Sequence, residues 1–95
     1  MMKVYISGKI TGTTDYMERF ERAEKALSNN VVINPAKVNA QLPTDTTWDE
    51  YMRMSMTMLR MCNAIYMLSG WKDSAGARME YDYAVEHNYK IIFEK

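Results

Sequence analysis

Four short apolar runs, separated by segments with helical periodicity, constrain the fold of this chain more than any other feature. The runs span Lys3–Ser7, Val31–Asn34, Asn63–Leu68 and Lys90–Glu94. Most of them are continuously apolar rather than alternating, which is typical of strands that are covered on both faces, as in parallel sheets. The runs therefore predict four β-strands, most of them covered on both faces.

The segments between the runs show the residue spacing of amphipathic helices. The predicted helices cover Asp15–Asn29, Thr47–Cys62 and Ser74–Asn88. Thr14 or Asp15 is expected to cap the first helix, and Thr47 with Glu50 three residues later predicts a capping box on the second. The segment Pro35–Thr46 is expected to be a loop.

The predicted elements follow the order β-α-β-α-β-α-β. Alternating strands and helices form a parallel sheet with right-handed crossovers and helices on both faces. The predicted fold class is therefore α/β, a three-layer sandwich around a four-stranded parallel sheet. Ligands of such sheets bind beyond the carboxyl ends of the strands. The segments expected to surround this crevice are Gly8–Thr14, Pro35–Trp48 and Ser69–Gly76.

Length and composition exclude several classes of protein. The 95 residues are expected to form one domain over 1–95, and 47% apolar with 25% charged residues is typical of a globular protein, not a disordered one. Twelve basic residues balance twelve acidic ones, so no net positive charge attracts a nucleic acid polymer or an anionic membrane. No apolar run is long enough for a signal peptide or a membrane span.

Cysteine and histidine are too scarce for several kinds of site. Cys62 and His87 are the only residues of their types, so the chain has no internal disulfide and no Cys/His cluster for zinc. Neither a metal nor another cofactor is expected. A single cysteine is also typical of a reducing compartment, which predicts a cytoplasmic protein.

Five methionines fall within ten residues of the second predicted helix. They are Met52, Met54, Met56, Met58 and Met61. Their alternation with polar residues also fits a half-buried strand, but Met, Leu and Arg favour a helix. At helical spacing they occupy more than one face, so they either fill an irregular core or form a subunit interface. We expect a homodimer or a larger even-numbered oligomer through the Met52–Met61 helix.

Glu80 lies on or beside the apolar stripe of the third predicted helix. The stripe consists of Ala77, Tyr81, Ala84 and Val85, and Glu80 falls three residues after Ala77 and four before Ala84. A carboxylate that faces the sheet near a helix start is unusual in a purely structural helix. The alternative is a carboxylate paired with a Lys or Arg at the edge of the stripe. Burial raises the pKa of such a group and the helix N-terminus lowers it, so the sequence leaves its protonation open.

The loop after the first strand contains glycines and several hydroxyl groups. Gly8 and Gly12 allow backbone N–H groups to approach an anion, and Lys9 adds a positive charge. A valine at Gly8 is expected to fill the space of the ligand. The loop matches neither GxGxxG nor GxxxxGK[ST], so an ordinary strand-to-helix turn is the alternative.

Four segments of the chain resemble the nucleoside 2-deoxyribosyltransferase-like superfamily. They are Tyr5–Gly12, Cys62–Leu68, Gly70–Trp71 and the Ser74-x-Gly76-x-x-x-Glu80 element that precedes Ala84. The chain is more closely similar to a branch of small bacterial and phage proteins without an assigned activity, related to the 2′-deoxynucleoside 5′-phosphate N-hydrolases. The resemblance implies a flavodoxin-like fold and cleavage or transfer at the N-glycosidic bond of a deoxynucleoside or deoxynucleotide.

The resemblance also implies roles for individual residues. Glu80 matches the nucleophile that forms a glycosyl-enzyme intermediate, as in retaining glycosidases, and Tyr5 matches the tyrosine that orients it. The expected substrate-binding residues are Gly8, Lys9, Ile10, Thr11 and Gly12 in the first loop, Trp48 and Asn63, and Ser74 and Gly76 on the side of a 5′-phosphate.

Three positions depart from the pattern of these enzymes. Ser55 and Asn63 stand where the enzymes carry aspartates that orient the sugar or protonate the leaving base. Thr11 stands where the nucleotide hydrolases use an arginine. Asp49, at the start of the second predicted helix, is the candidate for the general acid.

These residues leave two functions open. The first is an N-glycosidase or deoxyribosyltransferase that acts through Glu80. The second is a nucleotide-binding module of the same fold that has lost efficient catalysis, because acids are replaced at Ser55 and Asn63. Both predict a small-molecule nucleoside or nucleotide as the partner.

Overall fold

The computed structural model describes residues 1–95 and contains one four-stranded, entirely parallel sheet in the order β2-β1-β3-β4. The strands are β1 (Lys3–Ser7), β2 (Val31–Ile33), β3 (Ala64–Met67) and β4 (Lys90–Phe93). All four lie within the predicted runs, and the predicted α/β fold class is confirmed. The strand order is that of flavodoxin-like folds. In this order β2 lies on one side of β1, and β3 and β4 lie on the other side.

Helices cover both faces of the sheet. They are α1 (Tyr16–Ala26), α2 (Pro35–Asn39), α3 (Trp48–Arg60) and α4 (Ala75–Glu86), with a short 3₁₀ helix over Trp71–Asp73. Successive residues of a strand point to opposite faces. Val4 and Ile6 of β1 therefore pack with Phe20 of α1, whereas Tyr5 packs on the other face with Leu59 of α3 and Ala84 of α4. The predicted three-layer sandwich is confirmed.

The segment Pro35–Thr46, predicted to be a loop, begins with the short helix α2, so this prediction was wrong in part. Asn34 caps the helix because its side-chain Oδ1 accepts a hydrogen bond from the Ala36 backbone N–H at 3.1 Å. Pro35 follows at the first helical position, where its fixed φ is favourable and its missing N–H costs nothing. The Asn-Pro pair that ends β2 therefore also begins a helix.

Side-chain caps position the helices that border the crevice. Thr47 and Glu50 form the predicted capping box on α3, with the Glu50 backbone N–H 3.2 Å from the Thr47 hydroxyl. Ser74 caps α4 by accepting a hydrogen bond from the Ala77 N–H at 3.1 Å. Asp15 is the N-cap residue of α1, one of the two predicted, but its side chain forms no capping hydrogen bond, so the prediction was right only in position.

The methionine-rich segment is helical, as predicted, and its methionines lie on more than one face. Met58 is 7% exposed in the core between α3 and the sheet, whereas Met54 and Met61 are 39% and 53% exposed. The strand alternative is therefore wrong. None of the helices is both long and apolar enough to cross a membrane.

Candidate active site

A cavity of about 440 Å³ lies beyond the carboxyl end of β1 and is bordered by α2, α3 and α4. Each of the three segments expected to surround the crevice contributes to its wall. Gly8 and Thr11 come from the first loop, Pro35 from the second segment and Ser74 from the third. The predicted position of the crevice is confirmed.

Glu80 reaches this cavity from the buried face of α4. Ala77, Glu80 and Ala84 recur at helical spacing and are 1%, 5% and 0% exposed, so Glu80 lies within the buried stripe. Val85, predicted to belong to the stripe, is 49% exposed and faces away. The Glu80 carboxylate therefore lies against the sheet, on the same face of α4 as Ala77 and Ala84.

Two hydroxyl groups of β1 hold the Glu80 carboxylate. Tyr5 donates a hydrogen bond to Oε2 at 2.7 Å, and Ser7 donates one to Oε1 at 2.6 Å. Both come from the same face of β1 because they are two residues apart in a strand. The alternative of a paired Lys or Arg is wrong, because both ion pairs of the structure join Lys37 to other carboxylates.

The surroundings of Glu80 shift its proton equilibrium. Burial raises the pKa of Glu80 to about 7, although the hydrogen bonds from Ser7 and Tyr5 act in the opposite direction. Burial and the adjacent Glu80 carboxylate raise the pKa of Tyr5 well above its ordinary value. Tyr5 is therefore a neutral hydrogen-bond donor, and Glu80 gains or loses its proton near neutral pH.

The rest of the cavity wall is uncharged. Aromatic rings line it at Tyr16, Phe20, Trp48 and Tyr51. Asn39 donates from Nδ2 towards the Ser55 hydroxyl at 3.5 Å, and its buried Oδ1 has no hydrogen-bond partner. The chain has no group of three or more His, Cys, Asp or Glu side chains that could hold a metal ion. The wall combines one buried carboxylate with aromatic residues and the side chain of Asn39.

Residues 2–93 match the model of a protein family described as a domain of unknown function, DUF4406. The chain belongs to the DUF4406 family. Among curated proteins, no sequence matches it significantly.

The fold of this DUF4406 protein is similar to a solved structure, that of the 2-deoxyribosyltransferase from the psychrotolerant bacterium Bacillus psychrosaccharolyticus. The superposition has a TM-score of 0.76 and covers 96% of this chain and 70% of that one, at 10% sequence identity. The DUF4406 chain therefore has the nucleoside 2-deoxyribosyltransferase-like fold that the sequence motifs suggested.

Most of the residues predicted to form the site lie together in the DUF4406 cavity. The predicted residues that line it are Tyr5, Gly8, Ile10, Thr11, Trp48, Ser74, Gly76 and Glu80. Lys9, Gly12, Asp49 and Asn63 do not line it. Gly12 is exposed in a turn with φ of +81°, closed by a hydrogen bond from the Thr13 N–H to the Ile10 carbonyl.

Asn63, predicted to bind substrate, lies at the opposite end of the sheet. It precedes β3, and its Oδ1 accepts a hydrogen bond from the Lys3 backbone N–H at 3.0 Å. The amino end of a parallel strand is remote from the carboxyl ends where the cavity lies, so the predicted placement was wrong. Asp49, the predicted general acid, is exposed at the start of α3 and lies outside the cavity wall.

Gly8 borders the cavity for a different reason than predicted. A Cβ atom at Gly8 lies 2.6 Å from Cδ1 and 2.9 Å from Cβ of Leu68, which is fully buried. The missing side chain thus makes room for the core beside β3 rather than for a ligand. The Cβ of a valine at Gly8 therefore meets Leu68 in the core. The prediction that it fills the space of a ligand was wrong.

Several residues of the site were not predicted from the sequence: the aromatic residues Tyr16, Phe20 and Tyr51, and the polar residues Ser7 and Asn39. Ser7 contacts Glu80 directly, and the sequence signal for this contact was the two-residue spacing between Ser7 and Tyr5 in the same strand. Asn39 lines the cavity from α2, a helix within the segment that was predicted to be a loop. Without that helix no periodicity indicated which way the Asn39 side chain points.

Proposed function

We propose that this DUF4406 protein cleaves the N-glycosidic bond of a nucleoside or nucleoside 5′-monophosphate, with Glu80 as the nucleophile. The observation that carries the proposal is a carboxylate, 5% exposed, that faces a cavity, has no cationic partner and is held by two hydroxyl groups. A buried carboxylate without a counter-charge is costly for stability, which indicates a role beyond packing. The fold of a 2-deoxyribosyltransferase supports the same reaction class.

The reaction follows the double displacement of retaining glycosidases. A Glu80 oxygen attacks the anomeric carbon C1′ of the sugar, the bond from C1′ to the base nitrogen breaks, and a glycosyl ester forms. Water or a second base then attacks C1′ and releases Glu80. Tyr5 and Ser7 orient the carboxylate through the two hydrogen bonds and limit its rotation. The same site therefore serves hydrolysis or transfer, depending on the acceptor.

The second candidate is a module that binds a nucleoside or nucleotide without efficient turnover. One observation favours it: no acidic side chain other than Glu80 lines the cavity. A positioned general acid contributes about 10²–10⁴-fold to such reactions, so its absence slows the departure of an ordinary base.

An assay with a substrate panel distinguishes the two candidates. The protein is incubated with deoxynucleosides and their 5′-monophosphates, with and without a second free base, and products are separated by liquid chromatography. We expect release of free base, and formation of a new nucleoside if the protein is a transferase. Binding by calorimetry without base release from any substrate would instead support the binding module.

The catalytic rate is expected to depend on pH through Glu80. Only the ionised carboxylate attacks C1′, and burial raises the pKa of Glu80 to about 7. We therefore expect kcat/KM to rise about tenfold per pH unit below neutrality and to level off above about pH 7. A profile that levels off near the ordinary value of 4.5 would contradict the burial of the reacting carboxylate.

Tyr5→Phe is expected to move this profile to higher pH. The hydrogen bond from Tyr5 lowers the pKa of Glu80, so its removal raises that pKa further. At a fixed pH near 6 the variant is expected to be about tenfold slower, with partial recovery at higher pH. Tyr66→Phe is the matched control, because Tyr66 packs on the other face of the sheet from Tyr5. An unchanged profile for Tyr5→Phe would mean that Tyr5 does not position the nucleophile.

We also propose that the protein forms a homodimer or a larger even-numbered oligomer through α3. Met54 on this helix and Met61 at its C-terminal cap leave apolar surface exposed. Met54→Glu is expected to dissociate the oligomer, as measured by light scattering at micromolar concentration. Met17→Glu is the matched control, since Met17 is 38% exposed on α1, across the sheet. A wild-type mass equal to one chain would contradict the proposal.

A further inference from the structure

We propose that the glycoside cleaved at this site carries its leaving base as a cation, such as an N-alkylated purine or a pyridinium ring. The inference rests on the proposed function of Glu80 and names the class of substrate. Three properties of the cavity support it: its charge, its aromatic lining and its lack of a proton donor for the leaving base.

The first property is an uncompensated negative charge. Glu80 is the only acidic or basic residue in the cavity wall, which contains no Lys, Arg or His. Both of its oxygens accept hydrogen bonds from neutral hydroxyls, so nothing in the protein neutralises the carboxylate. A buried carboxylate without a cation is costly to ionise. A cationic ligand supplies the missing counter-charge at the moment of binding.

The second property is the aromatic lining. Four aromatic residues, Tyr16, Phe20, Trp48 and Tyr51, line the same cavity as Glu80. Aromatic rings stack on any flat base, but their faces attract a positive charge in addition. A cationic base therefore gains from both the rings and the carboxylate, whereas a neutral base gains from stacking alone.

The third property is the lack of a proton donor for the leaving base. Asp49 and Asp73, which neighbour the lining residues Trp48 and Ser74 in sequence, are exposed and outside the wall. The Tyr5 hydroxyl already donates a hydrogen bond to Glu80, and burial raises its pKa well above that of an ordinary tyrosine, so it keeps its proton. A neutral base departs as an anion unless it is protonated. A cationic base departs as a neutral molecule and needs no proton.

The reaction balances without a general acid. The bond between a Glu80 oxygen and C1′ forms, the C1′–N bond breaks, and its electron pair cancels the positive charge of the ring. Water then attacks C1′ of the ester, Glu80 leaves as a carboxylate, and one proton passes to solvent. Hydrolysis of a cationic substrate therefore releases one proton per turnover, whereas the base released from a neutral nucleoside takes that proton up.

A binding comparison tests the charge preference without any turnover. The probes are 1-methylnicotinamide, a pyridinium cation, and 3-methylbenzamide, its neutral isostere with carbon in place of the charged nitrogen. At about pH 8, calorimetry is expected to show a preference of about tenfold or more for the cation. Glu80→Gln is expected to abolish the preference, and Glu86→Gln, an exposed change on the same helix, to retain it. Equal affinity, or no binding of either probe, would overturn the inference.

A turnover comparison tests the leaving group. The substrates are 7-methyl-2′-deoxyguanosine, whose purine is cationic, and 2′-deoxyguanosine, each compared with its own spontaneous hydrolysis. We expect the acceleration to be at least about 10²-fold larger for the methylated substrate, the lower range of a general acid's contribution. Equal accelerations would overturn the inference and leave Glu80 cleavage intact. Cleavage of no substrate at all would overturn the proposed function, and the binding comparison would still decide the charge preference.

Discussion

Glu80→Gln is expected to abolish base release, with a fall in kcat/KM of at least about 10³-fold. Glutamine preserves the size of the side chain and keeps an oxygen within reach of the Tyr5 or Ser7 hydroxyl, but its amide is not a nucleophile towards C1′. The measurement is the initial rate of free-base formation by liquid chromatography. Glu86→Gln controls for the loss of one negative charge from α4, because Glu86 is exposed. Activity within a few-fold of the parent would exclude Glu80 as the nucleophile.

Glu80→Gln is also expected to change how the stability of the protein depends on pH, without unfolding it. The pKa of Glu80 is raised from 4.5 to about 7 in the folded chain, so the native state binds this proton more tightly than the unfolded state does. That contribution to stability is fully present below about pH 4.5 and is lost as the pH rises to about 7, a change of about 3 kcal/mol in the free energy of unfolding.

Urea unfolding at about pH 4.5 and pH 8 measures this difference. The wild type is expected to lose stability over the interval, whereas Glu80→Gln, which has no group to ionise, lacks that component. The variant is therefore expected to be at least as stable as the wild type at about pH 8. A variant that unfolds far more easily at high pH would show that the carboxylate stabilises the core.

Gly8→Val is expected to destabilise the fold by about 3 kcal/mol or more. Its Cβ lies 2.6 Å from Cδ1 of Leu68, a side chain at 0% exposure in the core beneath α1 and α2. Backbone hydrogen bonds between the two strands prevent retreat, since the Leu68 N–H donates to the Ser7 carbonyl at 2.8 Å. The measurement is the urea midpoint, with the slope used to verify a two-state transition.

Gly76→Ala is the matched control for Gly8→Val, because Gly76 lines the same cavity. Its Cβ lies 3.0 Å from the sulfur of Met52, whose flexible side chain can move, and alanine favours the helix. We expect a change of about 1 kcal/mol or less. An equal urea midpoint for Gly8→Val and the parent would mean that β1 and β3 adjust more easily than their pairing indicates.

Local sequence signals determined the elements and their order. Continuous apolar runs indicated the four strands, and helical spacing placed Glu80 between Ala77 and Ala84 on the buried face of α4. These signals work because strand and helix periodicities act over a few residues. The capping box of Thr47 and Glu50 could also be predicted, because its two residues are only three positions apart. The helix α2 was not predicted, because the Asn34-Pro35 pair that begins it also ends a strand.

The tertiary structure alone decided what surrounds Glu80. Its partners Tyr5 and Ser7 lie 75 and 73 residues away, and only the packing of α4 on β1 brings their hydroxyls to the carboxylate. Asn63 lies at the opposite end of the sheet because β3 begins at Ala64, directly after it. The residue type of Asn63 does not determine this position. Similarly, Gly8 faces Leu68 because the pairing of β1 with β3 sets the direction of its absent Cβ. Sequence patterns specify which face of an element is buried, whereas contacts between distant elements depend on how those faces pack together.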